Sequence, residues 1–272
     1  MESSKLKNIV LLILVITNLF LGFLMAYQGF SSRQMKTQAL LDSIALLEKR
    51  GIAVDPEAIP QGAFSSPMVL ERDSQWERQV FTSLLGESTT ATQRGLVSYY
   101  ESDLGRVEVR GDGAFSATFS EDAFPLNGED LSQHGLTILS RMELNAKVIS
   151  VGEDSLEAVQ LWDRSPIFSC AVTLRYENGA LVELSGTRLV GTPTVDATQA
   201  APLSIPTLLL RFRGGIIDSG DTCTAILSAT QGYVMDAGSA GGGKVRLTPV
   251  LRLETDTSSY LVDALTGAMS RG

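Results

Sequence analysis

One histidine and two cysteines are all the imidazole and thiol groups that 272 residues offer. A structural zinc site takes four Cys or His ligands at short spacings, which His134, Cys170 and Cys223 do not supply. The metal ligands and cofactors expected are therefore none. His134 would also have to serve any Ser-His scheme, and no Gly-x-Ser-x-Gly elbow accompanies it. It lies in "SQHGLT", inside a predicted helix, where a packing histidine is the plainer reading. "GGGK" (Gly241–Lys244) lacks the framework of a phosphate-cradling loop. The carboxylates Glu129-Asp130 and Glu153-Asp154 are adjacent, so their side chains diverge on a helix and oppose on a strand. Asp221, Asp236 and Asp256 lack the alternating spacing of a calcium loop. The expected set of catalytic residues is none, and the chain is not expected to be an enzyme.

Positive charge is also short. Lys and Arg number 22 against 31 Asp and Glu, a net charge of −9. That balance argues against nucleic acid as a partner. A solvated acidic surface accounts for it. For the two cysteines, a disulfide and two separately buried thiols both stay open.

Long apolar runs are scarce, with one exception. Ile9 to Tyr27 carries no charge, and as a helix it would cover roughly 28 Å, close to the thickness of a bilayer core. Its exit, Leu24-Met25-Ala26-Tyr27, is a poor cleavage site for a signal peptide. The expectation is a retained single-pass anchor, with a short cytoplasmic N-terminus and an extracytoplasmic C-terminal domain at the cell membrane. Asn18, Gly22 and Ala26 recur every four residues on one stripe of that helix. A small-x-x-x-small pair with a buried amide is a plausible contact for another membrane helix, so these three are the candidate interaction residues.

Beyond the anchor, periodicity organises the chain. "SSRQMKTQALLDSIALLEKRGIAV" reads as a helix closed by Gly51, with Leu40, Ile44 and Leu47 at helical spacing. A proline-rich connector, Asp55–Pro67, follows. "DSQWERQVFTSLLG" is a second helix. "GLVSYYESDLGRVEVRGDGAFSATFS" then alternates with period two and breaks at Asp103–Gly105 and Gly111–Gly113, an antiparallel meander. "NGEDLSQHGLTILSRMEL" returns to helix. A looser copy of this order follows, with a hairpin turn at Asn178-Gly179 and a helix in "APLSIPTLLLRFRGGIIDSG". The expected fold class is α+β: an N-terminal transmembrane helix and two small antiparallel-sheet-plus-helix units. Their bounds are 1–28 for head and anchor, 29–67 for stalk helix and linker, 68–147 for the first unit and 148–272 for the second.

Four segments in order carry a family resemblance. They are "KLKNIVLLILVITNLFLG", "LLEKRGIAVDPEAIP", "GYVMD" (Gly232–Asp236) and the tail "P-x-x-R-x-E-T-D…Y-x-V-D-A-x-T-G" from Pro249 to Gly267. On these the chain resembles the YycI/YycH-type regulatory proteins of Gram-positive bacteria. The resemblance implies a membrane-anchored extracytoplasmic regulator of a two-component sensor histidine kinase that controls cell-wall metabolism. The implied partners are the membrane, that kinase and a related regulatory membrane protein, and no nucleic acid. It implies no catalysis. The alternative is an envelope binding or scaffold module, for a cell-wall, peptide or sporulation complex, unrelated to a kinase.

Overall fold

A computed structural model describes residues 13–15, 17–21, 23, 34, 35, 37–240 and 244–272. The strands are β1 (Ala53–Val54), β2 (Met68–Glu71), β3 (Thr90–Arg94), β4 (Val97–Ser102), β5 (Gly105–Arg110), β6 (Ala114–Phe119), β7 (Ala146–Val151) and β8 (Ser155–Trp162). They continue as β9 (Ser165–Glu177), β10 (Ala180–Thr187), β11 (Thr194–Val195), β12 (Ala225–Ala240), β13 (Lys244–Thr255), β14 (Ser259–Asp263) and β15 (Met269–Arg271). Helix α1 covers residues 37–48, followed by α2 (Ser74–Leu85), α3 (Leu131–Arg141) and α4 (Ile205–Ser219).

The local expectations for the meander hold. β4, β5 and β6 pair antiparallel in sequence order, turning at the two predicted breaks. Asn178 and Gly179 both adopt positive φ, 51° and 76°, as a two-residue hairpin turn between β9 and β10 demands. α2 begins where Asp73 accepts from the backbone N–H groups of Gln75 and Trp76. α3 begins on Asp130 in the same way.

The global expectation does not hold. The strands join one 15-stranded sheet in the order β11-β2-β13-β12-β9-β10-β6-β5-β4-β3, with β14, β15, β7, β8 and β1 branching from it. The sheet is mixed, because β1 and β9 each run parallel to β12. The α+β reading of two small antiparallel units is therefore corrected to a large mixed sheet with few helices. The reason is β9. Its start meets β12 at Ile167 and Tyr233, and its remainder pairs with β8 and β10, so one strand serves both ends of the sheet.

The anchor is corrected as well. Among the described residues no helix is long and apolar enough to cross a membrane. The longest that closes on both ends, α4, has 15 residues and carries two arginines. A single-pass N-terminal transmembrane helix, and the cell-membrane localisation built on it, are at odds with that finding.

Three apolar clusters lie on the sheet. α2 and α3 cover β4–β10, with Phe81, Leu84, Ile138 and Leu139 buried against Val107, Leu156 and Leu184. α1 and α4 cover the other end, where Leu40, Ile44 and Leu47 of α1 pack with Phe212, Leu253, Tyr260 and Val262. Between them Met68, Ile167, Cys170, Leu189, Val190 and Tyr233 form a third cluster beside the crossover from β10 toward β11.

Candidate functional site

The densest buried polar chemistry sits where that crossover passes under α2. Glu77 faces inward from the apolar stripe of α2, beside Val80, Phe81 and Leu84. Arg72 Nε and Nη2 donate to its carboxylate at 3.0 Å each, a fork geometry only arginine supplies. Tyr100 of β4 donates its hydroxyl to Glu77 Oε1 at 2.9 Å. Arg72 Nη2 also donates to Ser98 Oγ at 3.1 Å. Burial, then the Glu77 charge, push the Tyr100 hydroxyl up to about 12.

Arg188 lies beside this group on the crossover. It is 2% exposed. Its guanidinium sits 4.5 Å from the Trp76 ring centre and 5.4 Å from that of Phe81, within cation–π range of both. Burial lowers its pKa to about 10, which still leaves it cationic at neutral pH. The crossover backbone is stitched on every side. Arg188 N–H donates to Gly113 O, Leu189 N–H to Gln160 Oε1 and Asp73 N–H to Val190 O, at 2.8–3.0 Å. Gly113 has φ of 89°, and a β-carbon there would meet Arg188 O at 2.3 Å, so no side chain fits.

A second polar group closes the tail. Asp256 accepts from the N–H and hydroxyl of Thr224. Asp263 accepts from the N–H groups of Leu265 and Thr266. Tyr260 donates to Asp221, which also pairs with Arg271. The motif residues singled out in the sequence thus hold the turns around β13 and β14.

The two cysteines are free thiols. Cys170 lies 4.0 Å from Met235 Sδ, with burial pushing it up to about 12, and Cys223 is partly exposed. His134 is buried in α3, 3.2 Å from the Tyr176 hydroxyl, and desolvation lowers its pKa. Among the described residues no three His, Cys, Asp or Glu side chains are grouped to hold a metal ion. Of the stripe expected to meet a membrane helix, Asn18 is helical and exposed, while Gly22 and Ala26 lie outside the described residues.

Sequence reasoning missed Arg72, Glu77, Tyr100 and Arg188. One signal was available for Glu77, a carboxylate at the position three residues before Val80 and seven before Leu84 on the apolar face. Arg188, in "SGTRLVG", carries no such signal.

Two open depressions lie on the surface of the described residues. One, of about 370 Å³, has Glu101 and Arg106 in its wall, paired with each other at 3.2 Å. The other, of about 440 Å³ over α3, contains Arg141 as its one charged side chain.

No protein-family model matches the chain, and no curated protein matches it. These results lend no support to the YycI/YycH-type resemblance or to two-component regulation, and the transmembrane helix that went with them is at odds with the described residues. Among solved structures the chain is similar to an uncharacterized protein from Eubacterium rectale ATCC 33656, at 9% identity and a TM-score of 0.45, over 77% of this chain and 86% of that one.

Proposed function

We propose that this protein is a non-catalytic binding or scaffold module that acts by noncovalent contact with another protein. One observation carries the reading: the buried groups with acid–base capacity, Glu77 and His134, are each engaged by side chains inside the fold. Glu77 accepts from Arg72 and Tyr100, and His134 meets Tyr176. A general acid or base has to reach a substrate proton, and these groups face other side chains of the same chain. The tail carboxylates are likewise engaged in turns. What faces outward is an acidic surface with single apolar side chains such as Ile149 on β7 and Leu227 on β12.

The test uses the tagged full chain as bait in mild detergent, followed by reconstitution of any recovered protein with the purified chain. Saturable one-to-one binding between the two purified proteins is the expected result. Recovery of a sensor histidine kinase would narrow the reading to a regulator, and an envelope assembly protein would narrow it to a scaffold. Turnover of a small molecule by the purified chain, abolished by Glu77→Gln in a variant that still folds, would overturn it.

A further inference from the structure

Between α2 and the crossover lies a cavity of about 10 Å³ walled by Trp76, Glu77, Val109, Gly113 and Arg188. Nη1 and Nη2 of Arg188 are buried and have no hydrogen-bond partner among the described residues. The ring centres of Trp76 and Phe81 lie 4.5 Å and 5.4 Å from the guanidinium carbon. Neither ring offers the N–H groups an oxygen or nitrogen lone pair. Buried polar groups in native proteins are almost always paired, with protein or with ordered water.

Size selects the occupant. A single water needs a cavity of roughly 10–15 Å³, which this one just reaches; a carboxylate or phosphate exceeds it. Charge then separates water from a monatomic anion. Glu77 forms one wall, so an anion would sit against a carboxylate. Water accepts from Arg188 and donates to Glu77, and a carboxylate has about four lone-pair sites. Three of those on Glu77 are taken by Arg72 and Tyr100. One remains.

We propose that the cavity is a built site for one resident water, which accepts from the Arg188 guanidinium and donates to Glu77. It closes a chain running from Ser98 through Arg72, Glu77 and the water to Arg188. That chain ties β4, α2 and the crossover together, so the strand-to-strand passage between the two ends of the sheet is fixed by charge as well as by packing. The site is independent of the proposed binding role.

Crystals of the full chain, soaked in bromide and measured at the bromine edge, test this without any variant. The expected result is one ordered peak within about 3 Å of Arg188 Nη1 or Nη2 and of the Glu77 carboxylate, with no bromine signal. A bromine peak there would make it an anion site and overturn the proposal. So would direct bonding of both amino groups to protein atoms, or a cavity without density.

Discussion

The two ends of the sheet bury different things. Under α2 and α3 the interior holds Glu77, Ser98, His134 and Gln160, with Arg188 at its margin. Under α1 and α4, Ser43 and Thr255 are the buried polar side chains among the described residues. Each of those two hydroxyls is satisfied within three residues, Ser43 by Leu40 O at 2.7 Å and Thr255 by Ser258 O at 2.6 Å. The first end therefore depends on a long-range polar network, where losing one partner strands another. The second depends on volume, where losing a side chain leaves a void. Similar total damage should arise from unlike causes, and couplings between mutations should tell them apart.

The largest effects come from the centre of each end. Glu77→Gln leaves Arg72 and Arg188 without their carboxylate and is expected to lower unfolding free energy by about 3–5 kcal/mol. Phe212→Ala removes a fully buried ring that packs on Tyr260 at 5.4 Å between centroids. Its expected cost is also about 3–5 kcal/mol, from lost transfer energy and cavity. Urea unfolding of the pairs sharpens the contrast. Arg188→Met combined with Glu77→Gln should cost less than the sum of the two. Glu77→Gln combined with Phe212→Ala should add within about 0.5 kcal/mol. Additivity in both pairs would break the comparison.

Tyr100→Phe comes next, at about 1–2 kcal/mol, because the ring stays and only a hydrogen bond to a buried carboxylate is lost. Chemical denaturation reads it directly, and a change as large as that of Glu77→Gln would mean the ring, not the hydroxyl, is at stake.

His134 adds a pH dependence confined to the first end. Desolvation lowers its folded pKa below the unfolded value, against a smaller opposing pull from Glu129. The unfolded chain thus binds its proton first. The stability that neutral His134 contributes is complete above about pH 6.5 and declines as pH falls through that value toward the folded pKa. Unfolding midpoints followed from pH 7.5 to 5.5 should drop more in the wild type than in His134→Gln. Equal slopes would remove the histidine as the cause.

The smallest change is expected for Arg271→Ala. Its partner Asp221 is close, but the arginine side chain is 66% exposed, so solvent screens the pair. The unfolding midpoint should be indistinguishable from wild type, and a clear drop would show that the tail turns carry more of the second end than its core does.

Much of the local structure was legible in the residues. Period-two alternation with Gly-Asp-Gly and Asn-Gly breaks identified β4–β6 and the β9–β10 turn, because those conformations depend on neighbours in sequence. The segments beginning at Asp73 and running through Asp130 read as helices from their own residues, and the structure places the caps on those two aspartates. The joining of the strands was not legible. β9 reads as ordinary alternation over its 13 residues, and nothing in its period tells that Ile167 meets Tyr233 while Leu174 meets Leu156 and Leu184. The apolar run at the N-terminus illustrates the opposite error, in which length and hydropathy alone were given a destination. The polar cluster was hidden because its members, Arg72, Glu77, Tyr100 and Arg188, come from separate elements and meet only after the sheet forms.

The pairing of β2 with β13 has a consequence for the order of events at the ribosome. Met68 bonds in register with Leu247, and α1 packs against Tyr260 and Val262. Both early segments emerge long before the partners that cover them. At ordinary synthesis rates the wait is on the order of 10–40 s. During that time the apolar face of α1 and the β13-facing edge of β2 stay uncovered in the nascent chain, available to chaperones, and are capped only when the last strands arrive.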